Sequence, residues 1–137
     1  MNKAKWTVAG LGFLLILVVA CTTETAIKSV KLGKDKAVTT ETAAFAAGDT
    51  VYAIADISSA GKVKVTGRLL FDEVEGQPKG PIPGAEANVD LPSSGTADFN
   101  FTPPGAGWPK GKYTLEVVLT DDAGAKKGTK SSSLTVS

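Results

Sequence analysis

The stretch that most restricts the fold is Lys62-Val63-Lys64-Val65-Thr66-Gly67-Arg68-Leu69-Leu70-Phe71-Asp72. Val63, Val65, Gly67, Leu69 and Phe71 fall on alternate positions, with Lys62, Lys64, Thr66, Arg68, Leu70 and Asp72 between them. A period of two places one set on each face of an extended chain. This is a strand with one buried and one wet face. Such a strand needs neighbours beside it and a second layer across from it.

The rest of the chain supplies more strands, and turn signals separate them. Residues 27–32 form a first strand, ended by Gly33. Residues 34–42 are polar and mixed, as in a loop. In residues 43–47 a loop drops Phe45 into the core, because Gly48-Asp49 breaks the alanine-rich run at once. Residues 51–57 carry Val51, Ala53, Ala55 and Ile57 on one face and Tyr52, Ile54 and Asp56 on the other, which suits a central strand. Residues 73–84 hold Gly76, Pro78, Gly80, Pro81, Pro83 and Gly84, a density of breakers that predicts a long irregular connection between two sheets. Residues 87–91 and 97–101 read as short strands paired through the turn at Pro92-Ser93-Ser94-Gly95, with Ala97, Phe99 and Phe101 inward. In residues 113–120, Tyr113, Leu115, Val117 and Leu119 alternate with Thr114, Glu116, Val118 and Thr120. Asp121-Asp122-Ala123-Gly124 then turns the chain into a last strand ending at Leu134-Thr135-Val136. Residues 126–133 are lysine-rich, as an edge strand needs to be to resist pairing with strangers. About seven short strands at this spacing predict an all-β, two-sheet sandwich.

The N-terminus is of another kind. Lys3 and Lys5 precede an uncharged run from Trp6 to Ala20, 15 residues long. Spanning a bilayer takes roughly 20, so the run reads as a cleaved secretory signal. Its end, Val18-Val19-Ala20-Cys21, resembles the lipobox of bacterial lipoproteins. That resemblance implies that the Cys21 sulfur carries a diacylglycerol, that the signal is cut before it, and that the new amine is acylated, palmitate being a typical chain. Cys21 is the only cysteine, and a thiolate is the strongest nucleophile a side chain offers near neutral pH. The implied organisation is a signal peptide over residues 1–20, a lipidated cysteine with a short tether over 21–25, and one domain over 26–137. Thr22, at the next position, is not the aspartate that resembles an inner-membrane retention signal in enteric bacteria. The expected location is therefore the bacterial cell envelope, on the outer membrane (periplasmic face or surface) if the cell has two membranes.

Removing residues 1–20 takes away Lys3 and Lys5 and no acid, which leaves 13 basic side chains against 14 acidic ones. That balance gives no electrostatic reason to expect nucleic acid. With Cys21 used, the domain holds no disulfide. At this size, burial of roughly two-thirds of the unfolded surface suffices for a core without staples.

Lys110-Gly111-Lys112-Tyr113-Thr114-Leu115 resembles the corner of immunoglobulin-like domains, with a glycine two residues before a tyrosine that starts the penultimate strand. Leu115 stands where immunoglobulins place a cysteine, so aliphatic packing replaces their inter-sheet disulfide. The stretch from Gly107 to Tyr113, and Phe45 with Asp49-Thr50-Val51-Tyr52, resemble bacterial envelope proteins with immunoglobulin-like domains. The resemblance covers most of residues 26–137. It carries no catalytic residue, because this fold hosts many unrelated functions.

The residues themselves offer little chemistry. With no histidine anywhere, Ser-His-Asp and Cys-His devices are impossible. Serines and lysines lie in turns and on an edge, the pattern of a solvated surface. No catalytic residue, cofactor or metal is expected. Asp72-Glu73-Val74-Glu75 and Asp121-Asp122 are acid clusters, but Lys79 follows the first and Lys126-Lys127 the second. Trp108, in a proline-glycine corner, either caps the core or lies outward as a stacking platform, and a lone aromatic favours the cap. The expected function is a non-catalytic protein-interaction module held at a membrane by Cys21, with an envelope protein as partner. Trp108, Tyr113, Glu75 and Lys79 are its candidate surface. The alternative is a glycan- or peptidoglycan-binding module, which exposed aromatics sharing one face would favour.

Overall fold

The computed structural model describes residues 24–137, so the expected signal segment and Cys21 lie outside the described residues. Eight strands follow one another: β1 (Ala26–Gly33), β2 (Ala44–Phe45), β3 (Val51–Ser58), β4 (Val63–Val74), β5 (Gly80–Leu91), β6 (Gly95–Phe101), β7 (Gly111–Asp121) and β8 (Lys126–Val136). They form a three-stranded sheet, β1-β3-β6, and a five-stranded sheet, β2-β8-β7-β4-β5. Pairing is antiparallel apart from β2, whose two residues run parallel to Thr135 and Val136 of β8. This is the expected immunoglobulin-like sandwich, with eight strands where about seven were counted. The additional one is β2, which sets Phe45 into the core at 2% exposure.

The alternating residues fill the space between the sheets. Val51, Ala53, Ala55 and Ile57 of β3 and Ala97, Phe99 and Phe101 of β6 meet Val63, Val65 and Leu69 of β4 and Leu115, Val117 and Leu119 of β7. Burying each large aliphatic side chain contributes about 1.5–3 kcal/mol. Leu115 is fully buried at the immunoglobulin cysteine position. Gly67, an inward position on β4, makes room for an aromatic: a Cβ there would meet the Phe99 ring at 3.0 Å. Phe99 of β6 therefore packs its ring over Gly67 of β4.

The first strand shows how local irregularity keeps a pattern. Ile27, Val30 and Leu32 are not spaced by two. The register shift between Ile27 and Ser29 bulges Lys28 outward. Ile27 then faces Ile57, Val30 faces Ala55, and Leu32 faces Ala53. One inserted residue restores a continuous apolar face.

Two expectations are corrected. Residues 73–84 are not an irregular crossing between sheets. β4 runs on to Val74, the chain turns over residues 75–79, and β5 begins at Gly80 in the same sheet. Pro81 and Pro83 are tolerated because β5 is an edge strand, where a missing N–H can face away from the ladder. The shift between Arg68 and Leu70 absorbs residues 82–85 as a wide bulge, with Gly84 at φ +79. The second correction concerns the partner of β6. It pairs with β3 from Val51–Phe101 to Ile57–Gly95, and not with β5. The short 92–94 turn makes the crossing instead. Ser94 ties it to the end of β3 by accepting from the Ser59 N–H at 2.8 Å and donating to the Ser59 carbonyl at 3.1 Å.

Candidate functional site

The sequence-selected residues gather at one end of the sandwich. Ala26 pairs with Ser58, and Val63 pairs with Asp121 and Leu91. The described chain therefore begins at the end that holds the turns 59–62, 92–94 and 122–125. The 75–79 turn and the 102–110 corner lie at the opposite end.

In that corner Trp108 is 5% and Tyr113 1% exposed. Neither presents a face to a partner, so these two aromatics leave the candidate surface and join the core. The reason is hydrogen bonding as well as area, since a buried indole or phenol needs a partner for its polar atom. Trp108 Nε1 donates to the Asp49 carbonyl at 2.8 Å, and its backbone N–H donates to the Ala47 carbonyl at 2.8 Å. The indole meets the Tyr113 ring edge-on, with centroids 6.1 Å apart. Tyr113 Oη donates to the Pro109 carbonyl at 2.5 Å, the bond of an immunoglobulin tyrosine corner. Burial pushes the Tyr113 phenol above its ordinary 10.0.

Gly111 explains the glycine of this corner. Its φ is +144, and a Cβ would strike the Glu73 carbonyl oxygen and come within 2.8 Å of the Val74 Cα. No other residue type fits without moving backbone. Asp49 closes the corner from the other side. Its Oδ2 accepts from the Ala46 N–H at 2.8 Å and pairs with Lys34 at 3.3 Å. The Ala46 hydrogen bond, helped by the Lys34 ammonium, holds the Asp49 carboxyl below its ordinary 3.8, although loss of water around it works the other way.

Glu75 and Lys79 are exposed in the β4–β5 turn. The acid clusters are occupied by lysines that follow them in sequence. Lys79 pairs with Asp72 at 3.1 Å and Lys127 with Asp121 at 3.6 Å. Asp121 also works as a turn cap, with Oδ1 accepting from the N–H groups of Ala125 and Ala123. Those bonds, that of Ala125 first, hold its carboxyl below the ordinary 3.8. Among the described residues no group of three or more metal-type ligands comes together.

One feature escaped the sequence reading. A groove of about 380 Å³ opens between β5 and β6, lined by Ile82, Ala85, Ala87, Phe101, Pro104 and Trp108 among others. Its signal was present: Ala85, Ala87, Val89 and Leu91 alternate without a break. The prolines before them concealed it, because they made the run look like the end of a loop. A second cleft, of about 510 Å³, lies at the opposite end. Its rim carries Lys62 and Lys64 beside Asp90, Asp121 and Asp122, charges of both signs with no convergent chemistry.

No family model matches this chain, and no curated protein matches it. Among solved structures it is similar to a Niemann-Pick type C2 protein from the Japanese carpenter ant, with 11% identity over 85% of this chain and 96% of that one, TM-score 0.47. The soluble domain of PmoD from Methylocystis sp. is 16% identical over 79% of this chain and 89% of that one, TM-score 0.45. WR4, a C. elegans MSP family member, is 14% identical over 69% and 90%, TM-score 0.41. All three scores fall below 0.5, and nothing is transferred from these proteins to this chain.

Proposed function

We propose that this chain is a lipid-anchored envelope protein whose sandwich is a non-catalytic protein-interaction module. The observation that carries the reading is the polarity of the fold. β1 begins at Ala26, five residues after Cys21, which allows a tether of roughly 17 Å at full stretch. The end of the sandwich that holds Ala26 then faces the lipid. The turn bearing Glu75 and Lys79 stands at the far end, about 35 Å away at the rise of an eleven-residue strand. A module built to meet partners away from the membrane requires this arrangement. Anchoring needs no further contact, since each buried CH₂ contributes about 0.8 kcal/mol and two or more chains hold stably.

The absence of histidine from the whole chain and the occupied acid clusters support a binding role over a catalytic one. The glycan reading relied on exposed aromatics, and Trp108 is buried. Cys21→Ser tests the anchor: the variant is expected in the soluble fraction. If it still pellets with membranes after a high-salt wash, the anchor reading fails. Photo-cross-linking in cells from position 75 tests the module. A discrete protein adduct supports it, and adducts with cell-wall fragments alone overturn it.

A further inference from the structure

The two sheets differ in width, and the excess falls on one flank. Phe99 of β6 packs its ring over Gly67 of β4. β6 is also the edge of its sheet. Among the described residues β6 is the strand of the other sheet that approaches β5, and it leaves most of the β5 row partly exposed. The inward row of β5 packs against the core with Ala85 enclosed, while Ile82, Ala87, Val89 and Leu91 are only partly buried. A strand added to the free edge of β6, one sheet spacing of about 4.8 Å further out, would lie over that row.

The edges are also protected unequally. β1 carries a bulge at Lys28 and a second lysine, Lys31. β8 carries Lys126, Lys127 and Lys130, with Lys130 opposite the buried Val117 on the inward side. β5 carries two prolines and a wide bulge. These are the usual devices that stop an edge from pairing with another chain. β6 has no bulge, lysine, arginine or proline; its register with β3 is unbroken, and its one charge is Asp98.

Charge identifies the occupant. Residues 80–109, which hold β5, β6 and the corner, contain no cation; Glu86 and Asp90 stand opposite Arg68 and Lys64 of β4 on the outer face, which leaves Asp98 as the charge on β6. β1 and β8, on the other flank, contain five lysines and no acid. Asp98 stands on the solvent-side row of β6, beside Ile54 of β3. A lysine or arginine on an added strand would face it across one strand spacing, a favourable cross-strand pair.

We infer that the β6 edge is a strand-addition site for an extended, basic segment of a partner protein. Alternate residues of that segment are apolar and cover Ile82, Ala87, Val89 and Leu91. The residues between them include a cation opposite Asp98. Main-chain hydrogen bonds to β6 supply affinity, and the alternating side chains supply specificity. The inference names the partner chemistry of the module proposed above, and so rests on that reading.

The test uses the protein in detergent with Trp6→Phe, so that Trp108, which lines the groove, is the sole tryptophan whether or not residues 1–20 have been removed. Three end-blocked peptides serve as probes: lysine alternating with valine, glutamate alternating with valine, and the lysine–valine composition with its lysines in one block. The alternating lysine peptide is expected to shift Trp108 emission saturably and to bind at least about tenfold more tightly than the other two. Asp98→Lys, an exposed substitution whose folding is checked by near-ultraviolet circular dichroism, is expected to reverse the preference between the lysine and glutamate peptides. Equal binding of the alternating and block peptides overturns the inference, because charge alone then explains affinity. An order of preference unmoved by Asp98→Lys overturns it too. Sedimentation that shows self-association lost in Asp98→Lys gives the edge to a second copy, which also overturns it. Photo-cross-linkers at positions 100 and 75 in cells separate this inference from the module reading. A partner caught only from 75 defeats the β6 site and leaves the module standing. Peptide binding with no cellular adduct from either position defeats the module and leaves the site.

Discussion

β7 and β5 flank β4 in the same sheet and have nearly the same length, 11 and 12 residues. Both alternate apolar with polar residues. Their inward rows nonetheless end differently: Tyr113, Leu115, Val117 and Leu119 of β7 are at most 1% exposed, while Ala87, Val89 and Leu91 of β5 stay partly exposed. What differs is the layer opposite. The three-stranded sheet covers β7 and leaves most of the β5 row partly exposed. Alternation therefore specifies which side of a strand is inward, and sheet width specifies how much inward burial is worth.

The sharpest break of this comparison is a matched pair of truncations. Leu115→Ala empties a fully enclosed site and is expected to cost about 4 kcal/mol, whereas Leu91→Ala, at a partly exposed site, is expected to cost about 1–2 kcal/mol. Urea denaturation of the two variants measures both, and equal losses would show that β5 is covered after all.

Glycines give a second matched pair. Gly111→Ala at the start of β7 meets backbone atoms of Glu73 and Val74, and about 3 kcal/mol of destabilisation is expected. Gly84→Ala in β5 keeps a positive φ but finds nothing within 4 Å, so only about 1 kcal/mol is expected. A thermal-melt ranking in the reverse order would contradict the corner geometry.

Tyr113→Phe removes the hydroxyl bonded to Pro109 and leaves the carbonyl unpaired, for about 1–1.5 kcal/mol. The phenol titrates above its ordinary 10.0 in the folded protein. The folded state then holds this proton more tightly than the unfolded chain. The associated stability is complete below pH 10 and is lost as pH rises through the folded value. Stability-versus-pH curves of the wild type should therefore fall more steeply above pH 10 than those of the phenylalanine variant.

The smallest effect lies at the exposed turns that end β7 and precede β3. The carboxyls of Asp121 and Asp49 are held below the ordinary 3.8. Lowered folded values mean stability that is present above pH 3.8 and lost as pH falls through those values. Asp121→Asn should flatten part of the acid limb of a denaturation profile. An unchanged limb would remove Asp121 from the account.

Most strand positions were legible because one face of each strand is buried, and burial enforces the period of two. The tyrosine corner was legible because its glycine and tyrosine sit two residues apart, and the structure supplies the Tyr113–Pro109 bond that this spacing implies. The β4–β5 hairpin was not legible. Pro81 and Pro83 argue against a strand in general but not against an edge strand, and edge position depends on how the sheet is assembled. The partner of β6 was hidden for a related reason. The three residues 92–94 are as suitable for a hairpin as for a sheet crossing, and only the tie between Ser94 and Ser59, distant in sequence, decides between them. Trp108 was visible as a candidate but not as a core residue, since its partners are the Ala47 and Asp49 carbonyls, contributed by a turn some sixty residues earlier.

The all-β class, the inward face of nearly every strand and a disulfide-free core are written in the residues alone. These follow from local periodicity and from a cysteine count of one. Only the tertiary structure decided that the sheets have three and five strands, that β5 overhangs its partner layer, and that β6 is left as the unguarded edge. Those properties depend on which strands meet, and strand pairing is fixed by long-range contacts that no single stretch of sequence contains.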